Sequence, residues 1–326
     1  MATMTATPKI SLVIPIYNEA ENLLSLSTKI KEVLKDENYE TIWIDDGSTD
    51  DSFTRLGKLA KKDKRIVLIQ FRRNFGQTAA LSAGFDQAGG EVIVTLDGDL
   101  QNDPKDIPKL IKKLDEGYDL VSGWRKDRQD ELPRVILSKI ANYLINKLTG
   151  LNLHDYGCTL KAYRSDLVKE LNLYGEMHRF IPAVASQIGA KITEIPVRHH
   201  PRKYGKSKYG LDRTFRVILD VVLVKFLLTF QNKPLHLFGS LGLGLSSLGS
   251  IIFLWLSYQK FILGFSLSDR PLFIVAIFMI LVGVQFVTIG ILAEMLMRVY
   301  YESQGKKPYY IRHIVTATKQ QVTSNK

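Results

Sequence analysis

The chain has 326 residues, a formal net charge of +11 and one cysteine, Cys158. That length accommodates one sizeable core plus a second region, and the lone cysteine excludes an internal disulfide and any multi-cysteine zinc site. The six histidines show no metal-ligand spacing, the stretch before Lys9 is short and polar rather than signal-like, and the apolar residues concentrate in the last third.

Lys9–Pro15 predicts a first buried strand. Asn18 is expected to cap a helix from about Glu19 to Leu34, where Leu23, Leu26, Ile30, Val33 and Leu34 recur at helical spacing. Thr41–Ile44 predicts a second strand ending in Asp45-Asp46-Gly47-Ser48, with a helix to about Lys62 after it. A third strand, Arg65–Gln70, leads through Phe71–Gln77 into a small-residue helix over Thr78–Ala88. Val92–Leu96 is a β-branched run suited to a strand buried on both faces, and it stops at Asp97-Gly98-Asp99. This alternation predicts an α/β fold with a mostly parallel, doubly wound sheet and helices on both faces. Ligands of such sheets sit outside the carboxyl ends of the strands, so Glu19, Asp46, Asp97 and Asp99 are expected on one rim. Two carboxylates separated by one glycine repel unless a cation lies between them. Oxygen ligands suit Mg²⁺ or Mn²⁺, and Gln101 adds a neutral oxygen.

Tyr118–Ser122 predicts a further strand leading to Arg125, a fixed positive charge suited to phosphate oxygens. Pro133 opens a helix, Arg134–Leu148, whose apolar residues fit either a core or a membrane surface. Asp155 in His154-Asp155-Tyr156-Gly157-Cys158 has the chemistry of a general base, and Glu176–Pro182 is expected to open a helix. After a strand at Lys191–Ile195, the basic, glycine-containing stretch Pro196–Gly210 reads as a lid over phosphates in preference to a nucleic-acid surface.

The ordered set Val13-Ile14-Pro15-Ile16-Tyr17-Asn18-Glu19, Asp45-Asp46-Gly47-Ser48 and Asp97-Gly98-Asp99 with Gln101 resembles family 2 glycosyltransferases of the GT-A (Rossmann-like) fold. Within them it is similar to the polyprenyl-phosphate glycosyltransferases, which include dolichol-phosphate mannose synthases and bactoprenol glucosyltransferases. The resemblance covers roughly residues 9–210. It implies that Pro15, Tyr17, Glu19, Ile44 and Asp46 hold the nucleoside of a nucleotide-sugar. It further implies that Asp97, Asp99 and Gln101, around Gly98, hold a divalent metal on the pyrophosphate, and that Arg202 and Lys208 bind phosphate. Asp155 then lies near a lipid-phosphate acceptor. A phosphate monoester, with a second pKa of about 6, needs alignment more than proton removal.

The membrane-directed part starts after residue 210. Leu211–Phe230 reads as amphipathic interfacial helices, the juxtamembrane segment extending to residue 234. Leu235–Tyr258 carries no charge and spans roughly 36 Å as a helix; Pro271–Ala293 spans roughly 34 Å, in a second helix reaching residue 297. Gly239, Gly242, Gly244, Gly249, Gly283 and Gly290 permit close helix packing, and a homo-oligomer is expected. Lysine and arginine flank the two spans, which predicts an integral membrane protein with its catalytic domain and both termini cytoplasmic. Residues 298–326 read as a basic tail, disordered beyond Ile314. The expected activity is a metal-dependent, inverting hexosyl transfer, first glucose from UDP-glucose, onto undecaprenyl or dolichyl phosphate. Mannose from GDP-mannose is the next donor. The rivals are a processive polysaccharide synthase and an inactive nucleotide-sugar-binding scaffold, and no nucleic-acid partner is expected.

Overall fold

The computed structural model describes residues 8–126, 142, 145–146, 150–171, 173, 177–201, 234–264, 266, 270–303, 309–317 and 320–321. They form two units, one holding all the strands and the other residues 225–306. In the first unit the strands are β1 (Ile10–Ile16), β2 (Tyr39–Asp45), β3 (Ile66–Phe71), β4 (Val92–Thr95), β5 (Leu120–Trp124), β6 (Lys161–Arg164), β7 (Ile192–Pro196), β8 (Ile311–Val315) and β9 (Gln320–Gln321). The helices are α1 (Leu23–Val33), α2 (Ser52–Lys62), α3 (Gln77–Gln87), α4 (Ile107–Leu114), α5 (Ser165–Glu170) and α6 (Ile181–Gln187).

The strands are apolar on both faces because both faces are covered. Leu12 and Ile14 of β1 pack in one core layer with Leu26 of α1, Leu56 of α2 and Leu110 of α4. Val13, which points the other way, packs in a second layer with Ala80 and Ala83 of α3 and Ile181 of α6. Each such fully buried aliphatic side chain contributes roughly 1.5–3 kcal/mol relative to exposure. The small residues of α3 let it lie close on the sheet: a Cβ on Gly84 would stand 2.2 Å from a methyl of Val13.

The sheet order is β7-β5-β6-β4-β1-β2-β3-β8-β9. β4, β1, β2 and β3 run parallel as expected, and β7 is parallel to β5. β6 lies antiparallel between β4 and β5, and β8 antiparallel on β3. β6 pairs its first residue, Lys161, with Thr95 at the end of β4 and with Ser122 on β5. The turn before β6 is thereby carried to the carboxyl ends of both neighbours.

Several sequence expectations shift here. Asn18 does not cap α1, which starts at Leu23; its backbone is left-handed, with φ 56°, and its side chain accepts from the Thr49 amide at 2.8 Å. The tail expected to be disordered beyond Ile314 holds Val315, the last residue of β8 on the β3 edge, and β9, which pairs back on β8. Of the helix expected over Arg134–Leu148, Asn142, Ile145 and Asn146 are helical; its other residues lie outside the described set, as does Leu211–Phe230.

The second unit is a pair of long helices, α7 (Pro234–Phe261) and α8 (Pro271–Ser303). Phe238–Phe261 and Pro271–Ala293 are long and apolar enough to cross a membrane. Large apolar side chains such as Leu243, Ile251, Ile274 and Phe278 are exposed on them. Small residues form the seam: a Cβ on Gly242 would lie 2.5 Å from the Gly283 carbonyl, and one on Gly249 2.8 Å from that of Ala276. Gly242, Gly249 and Gly283 thus serve the close helix packing expected of the glycines, here between α7 and α8 of one chain.

Candidate active site

Parallel pairing brings the ends of β2, β1 and β4 side by side. Ile16 is in register with Asp45, the Asp46 amide donates to the Ile16 carbonyl at 2.9 Å, and the Leu96 amide donates to that of Val13 at 3.1 Å. Pro15 stands near the end of β1 opposite the buried Ile44 of β2, and Tyr17 and Glu19 follow the strand end here. Gly98 runs against β1 so closely that a Cβ would stand 2.7 Å from a methyl of Ile16. Leu100 is buried with φ 62°, a left-handed backbone that costs free energy in a non-glycine residue.

Asp46 is a brace for the next loop. Its oxygens accept from the amides of Phe75 at 2.7 Å and Gly76 at 3.0 Å. Burial pushes its carboxyl up to about 6, against those two hydrogen bonds. Gly47, with φ +70°, allows Arg73 to pass: a Cβ there would meet the Arg73 carbonyl carbon at 2.5 Å. Glu19 accepts from the Asn22 side chain at 2.6 Å.

Asp97 is held from both sides. Gln77, the first residue of α3, donates to its Oδ1 at 2.8 Å, and the Thr159 hydroxyl donates to its Oδ2 at 2.7 Å. Asp99 accepts from the Gln101 amide at 3.1 Å. Burial, and next the neighbouring Asp99, push the Asp97 carboxyl up to about 7, while the Thr159 bond and the charges of Arg125 and Lys161 act in the other direction. Among the described residues no cluster of three or more His, Cys, Asp or Glu side chains is arranged to hold an ion. The Asp97–Asp99 pair nevertheless fits a hard divalent cation. It offers two carboxylates whose mutual repulsion a cation removes, and Mg²⁺ commonly completes its shell with phosphate oxygens and water.

Arg125 does not stand alone for a phosphate. Its Nε donates to Asp155 Oδ2 at 2.7 Å and its Nη2 to Oδ1 at 3.0 Å, with both side chains largely buried. The same carboxylate accepts from the Gly157 amide at 3.1 Å. A carboxylate so occupied orients a guanidinium; it is badly placed to take a proton. Below it, Lys161 is buried and donates to the carbonyls of Tyr156, at 3.2 Å, and Cys158. Burial pushes that ammonium's pKa down, and pushes the Cys158 thiol up to about 11. The side chain of Asn146 accepts from the Tyr156 hydroxyl at 2.8 Å and pins the same turn.

The chain after β7 returns to this rim. The His200 amide donates to the Gln101 carbonyl at 2.8 Å, and Arg198 pairs with Asp103 and Asp106. Arg202 and Lys208 lie outside the described residues, but the segment leading to them is tied to the loop after Asp99. Asp46, Asp97, Asp99 and Gln101 thus share one rim, with Arg125 and Asp155 joined to it by the turn before β6. Gln77, Asn146, Thr159 and Lys161 are additions that no motif marks. The one available signal was Gln77 opening a small-residue helix.

The comparisons agree with this geometry. Residues 11–171 match the model of glycosyl transferase family 2. The chain is 46% identical over 94% of its length to dodecaprenyl-phosphate galacturonate synthase of Rhizobium johnstonii, covering 93% of that protein. It is 36% identical to undecaprenyl-phosphate 4-deoxy-4-formamido-L-arabinose transferase of Proteus mirabilis, over 98% of both chains. Glucosyl-3-phosphoglycerate synthase from Mycobacterium tuberculosis, in complex with Mn²⁺ and UDP-glucose, superposes on 67% of this chain and 79% of its own. Its TM-score is 0.51 at 22% identity, a likeness of fold. A family 2 match over residues 11–171, joined to similarity over more than nine-tenths of each relative, shows that the chain belongs to the polyprenyl-phosphate sugar transferases of glycosyl transferase family 2.

Proposed function

We propose that the protein is a membrane-bound, inverting transferase that moves a uronic acid, with galacturonate first, from a nucleoside-diphosphate donor to a polyprenyl phosphate. Expected glucose has no support among the relatives compared, whose names carry galacturonate and a formamido arabinose. The observation that carries the reading is the rim itself. Two carboxylates that fit a cation lie one loop from a nucleoside-side carboxylate and beside a buried Arg125–Asp155 pair.

Pro15, Tyr17, Glu19, Ile44 and Asp46 line the nucleoside end, and Asp97 and Asp99, with Gln101, would hold Mg²⁺ or Mn²⁺ at the diphosphate. Bound there, the cation would supply positive charge for the departing diphosphate. Arg125, fixed by Asp155, adds a charge that needs no reorganisation. Arg202 and Lys208 belong to the same role in this reading. The acceptor phosphate, already largely dianionic, attacks the anomeric carbon from the face opposite the leaving group, so an α-linked donor gives a β-linked lipid.

Connectivity favours the expected orientation. The helical pair is preceded by β1–β7 and followed by β8, which pairs with β3 in the same sheet. A sheet cannot straddle a bilayer, so two crossings return the chain to the side it left. With the basic flanks, that side is the cytoplasm.

The test is purified full-length protein in lipid nanodiscs with undecaprenyl phosphate and, separately, UDP-galacturonate, UDP-glucose and GDP-mannose, with Mn²⁺ or EDTA. Mass spectrometry of the lipid fraction should show one galacturonosyl residue, β-linked and EDTA-sensitive. Polymer, retained configuration or a preference for glucose would each overturn the corresponding step.

A further inference from the structure

The segment after α8 reaches the loop that Asp46 braces. Tyr309 is buried; its ring stacks on Phe71 at 5.3 Å and 13°, and its hydroxyl donates to Asp86 Oδ2 of α3 at 2.6 Å. The Arg72 amide donates to the Tyr310 carbonyl at 3.1 Å, and the Tyr310 ring lies 5.9 Å from that of Phe75. Phe75 in turn meets Phe71 edge-on at 5.7 Å. The β3–β8 register slips between Gln70 and Phe71, where the loop leaves the sheet.

Loop 72–77 is therefore gripped on two sides. On the rim side, Asp46 takes the amides of Phe75 and Gly76, and Gln77 goes on to Asp97. On the other side Tyr310 contacts Arg72 and Phe75 directly, while Tyr309 stacks on Phe71, the last β3 residue before the loop. Asp86 and Gln77 sit on the same helix, so Tyr309 fixes the far part of the element whose first residue holds Asp97.

We propose that Tyr309 and Tyr310 are positioning residues for the donor site, holding loop 72–77 so that Asp46 and Asp97 keep their spacing for the nucleotide-sugar. The assignment of that rim to the donor rests on the function proposed above. One consequence concerns assembly. Tyr309 follows Ser303, the end of α8, so the donor loop is completed only by chain made after both long helices.

The experiment uses full-length protein in nanodiscs and the variants Tyr310→Ala, Tyr310→Phe, Tyr309→Phe, Asp86→Asn and the Tyr309→Phe/Asp86→Asn pair. Donor and acceptor KM, kcat, melting temperature and hydrogen exchange of the 72–77 segment are measured. Tyr310 is exposed, so its truncation should leave the fold intact. Tyr310→Ala should raise donor KM about 3–10-fold with kcat and acceptor KM within about twofold, and speed exchange at 72–77. Tyr310→Phe should restore both. Tyr309→Phe removes and Asp86→Asn weakens the same hydrogen bond, so the pair's effect should fall short of the sum of the two. Unchanged donor KM with unchanged exchange overturns the proposal; so do parallel losses in kcat, both KM values and melting temperature. If the wild type saturates with no nucleotide-sugar, the donor reading falls. Exchange at 72–77 in Tyr310→Ala then still decides whether the segment is held from the C-terminal side.

Discussion

Replacing Asp155 separates a residue that holds from a residue that takes a proton. Asp155 and Arg125 have side chains 6% and 13% exposed and share two charge-assisted hydrogen bonds. Removing one partner of a buried pair leaves the other charge stranded, at a cost of about 3–5 kcal/mol. For a unit of this size each kcal/mol moves the melting temperature by about 2–4 °C, so Asp155→Ala should lower it by roughly 6–20 °C. Asp155→Asn keeps the shape and should cost less. Arg125→Met/Asp155→Leu removes both charges, and stability should largely recover because well-packed apolar replacements of buried pairs are often neutral. Turnover should not recover if Arg125 faces the departing diphosphate. Thermal unfolding in nanodiscs and steady-state rates from pH 5 to 8 test both halves. As a holder, Asp155→Asn raises donor KM and keeps the shape of the kcat–pH profile; as a base, it abolishes kcat and removes the acidic limb. A doubly substituted enzyme that still turns over would refute the role given to Arg125.

Asp46 gives a signed pH dependence. Its amide partners bind the carboxylate, so donor KM should rise as pH falls through about 6, and a flat KM from pH 5 to 8 would remove the brace from the argument. Its folded pKa lies above the ordinary carboxyl value of 3.8, so this group's contribution to stability is greatest below about pH 4. It declines as pH rises through 6, by about 3 kcal/mol at most. Thr159→Val conserves volume and deletes the donor to Asp97, a change of about 1–3 kcal/mol, so a Mn²⁺ titration of activity should shift roughly 5–150-fold upward. Gly242→Val puts methyls against the Gly283 carbonyl and should lower the melting temperature of the helical pair, measured in detergent, more than Gly244→Val, whose Cβ meets open space.

Much of the rim was legible because its signals are local. A short apolar run followed by acid marks β2 and β4 by itself, and parallel neighbours then bring the acids together whatever the intervening helices contain. The same local logic misplaced Asn18. Its cap chemistry is real, but the side chain is spent on the 49–50 loop, because a left-handed backbone at Asn18 turns the chain before α1 can start.

What stayed hidden depends on antiparallel pairs between distant segments. Lys161–Arg164 is four residues with a lysine at its start and no clear alternation, so nothing local marks a central strand. Yet its pairing with both β4 and β5 puts Thr159 on Asp97 and Asp155 on Arg125. Lys161 can be buried there because its ammonium is spent on the carbonyls of the turn it supports, a satisfaction that no composition reveals. β8 is hidden for the same reason: Ile311-Arg312-His313-Ile314-Val315 reads as part of a basic tail until β3 offers an edge. The motif residues therefore carry the chemistry, while their aim is set by strands whose sequences have no reason to look catalytic. Substitutions at Thr159, Lys161 or Tyr309 should accordingly change the kinetics of a site that none of the three would suggest by type.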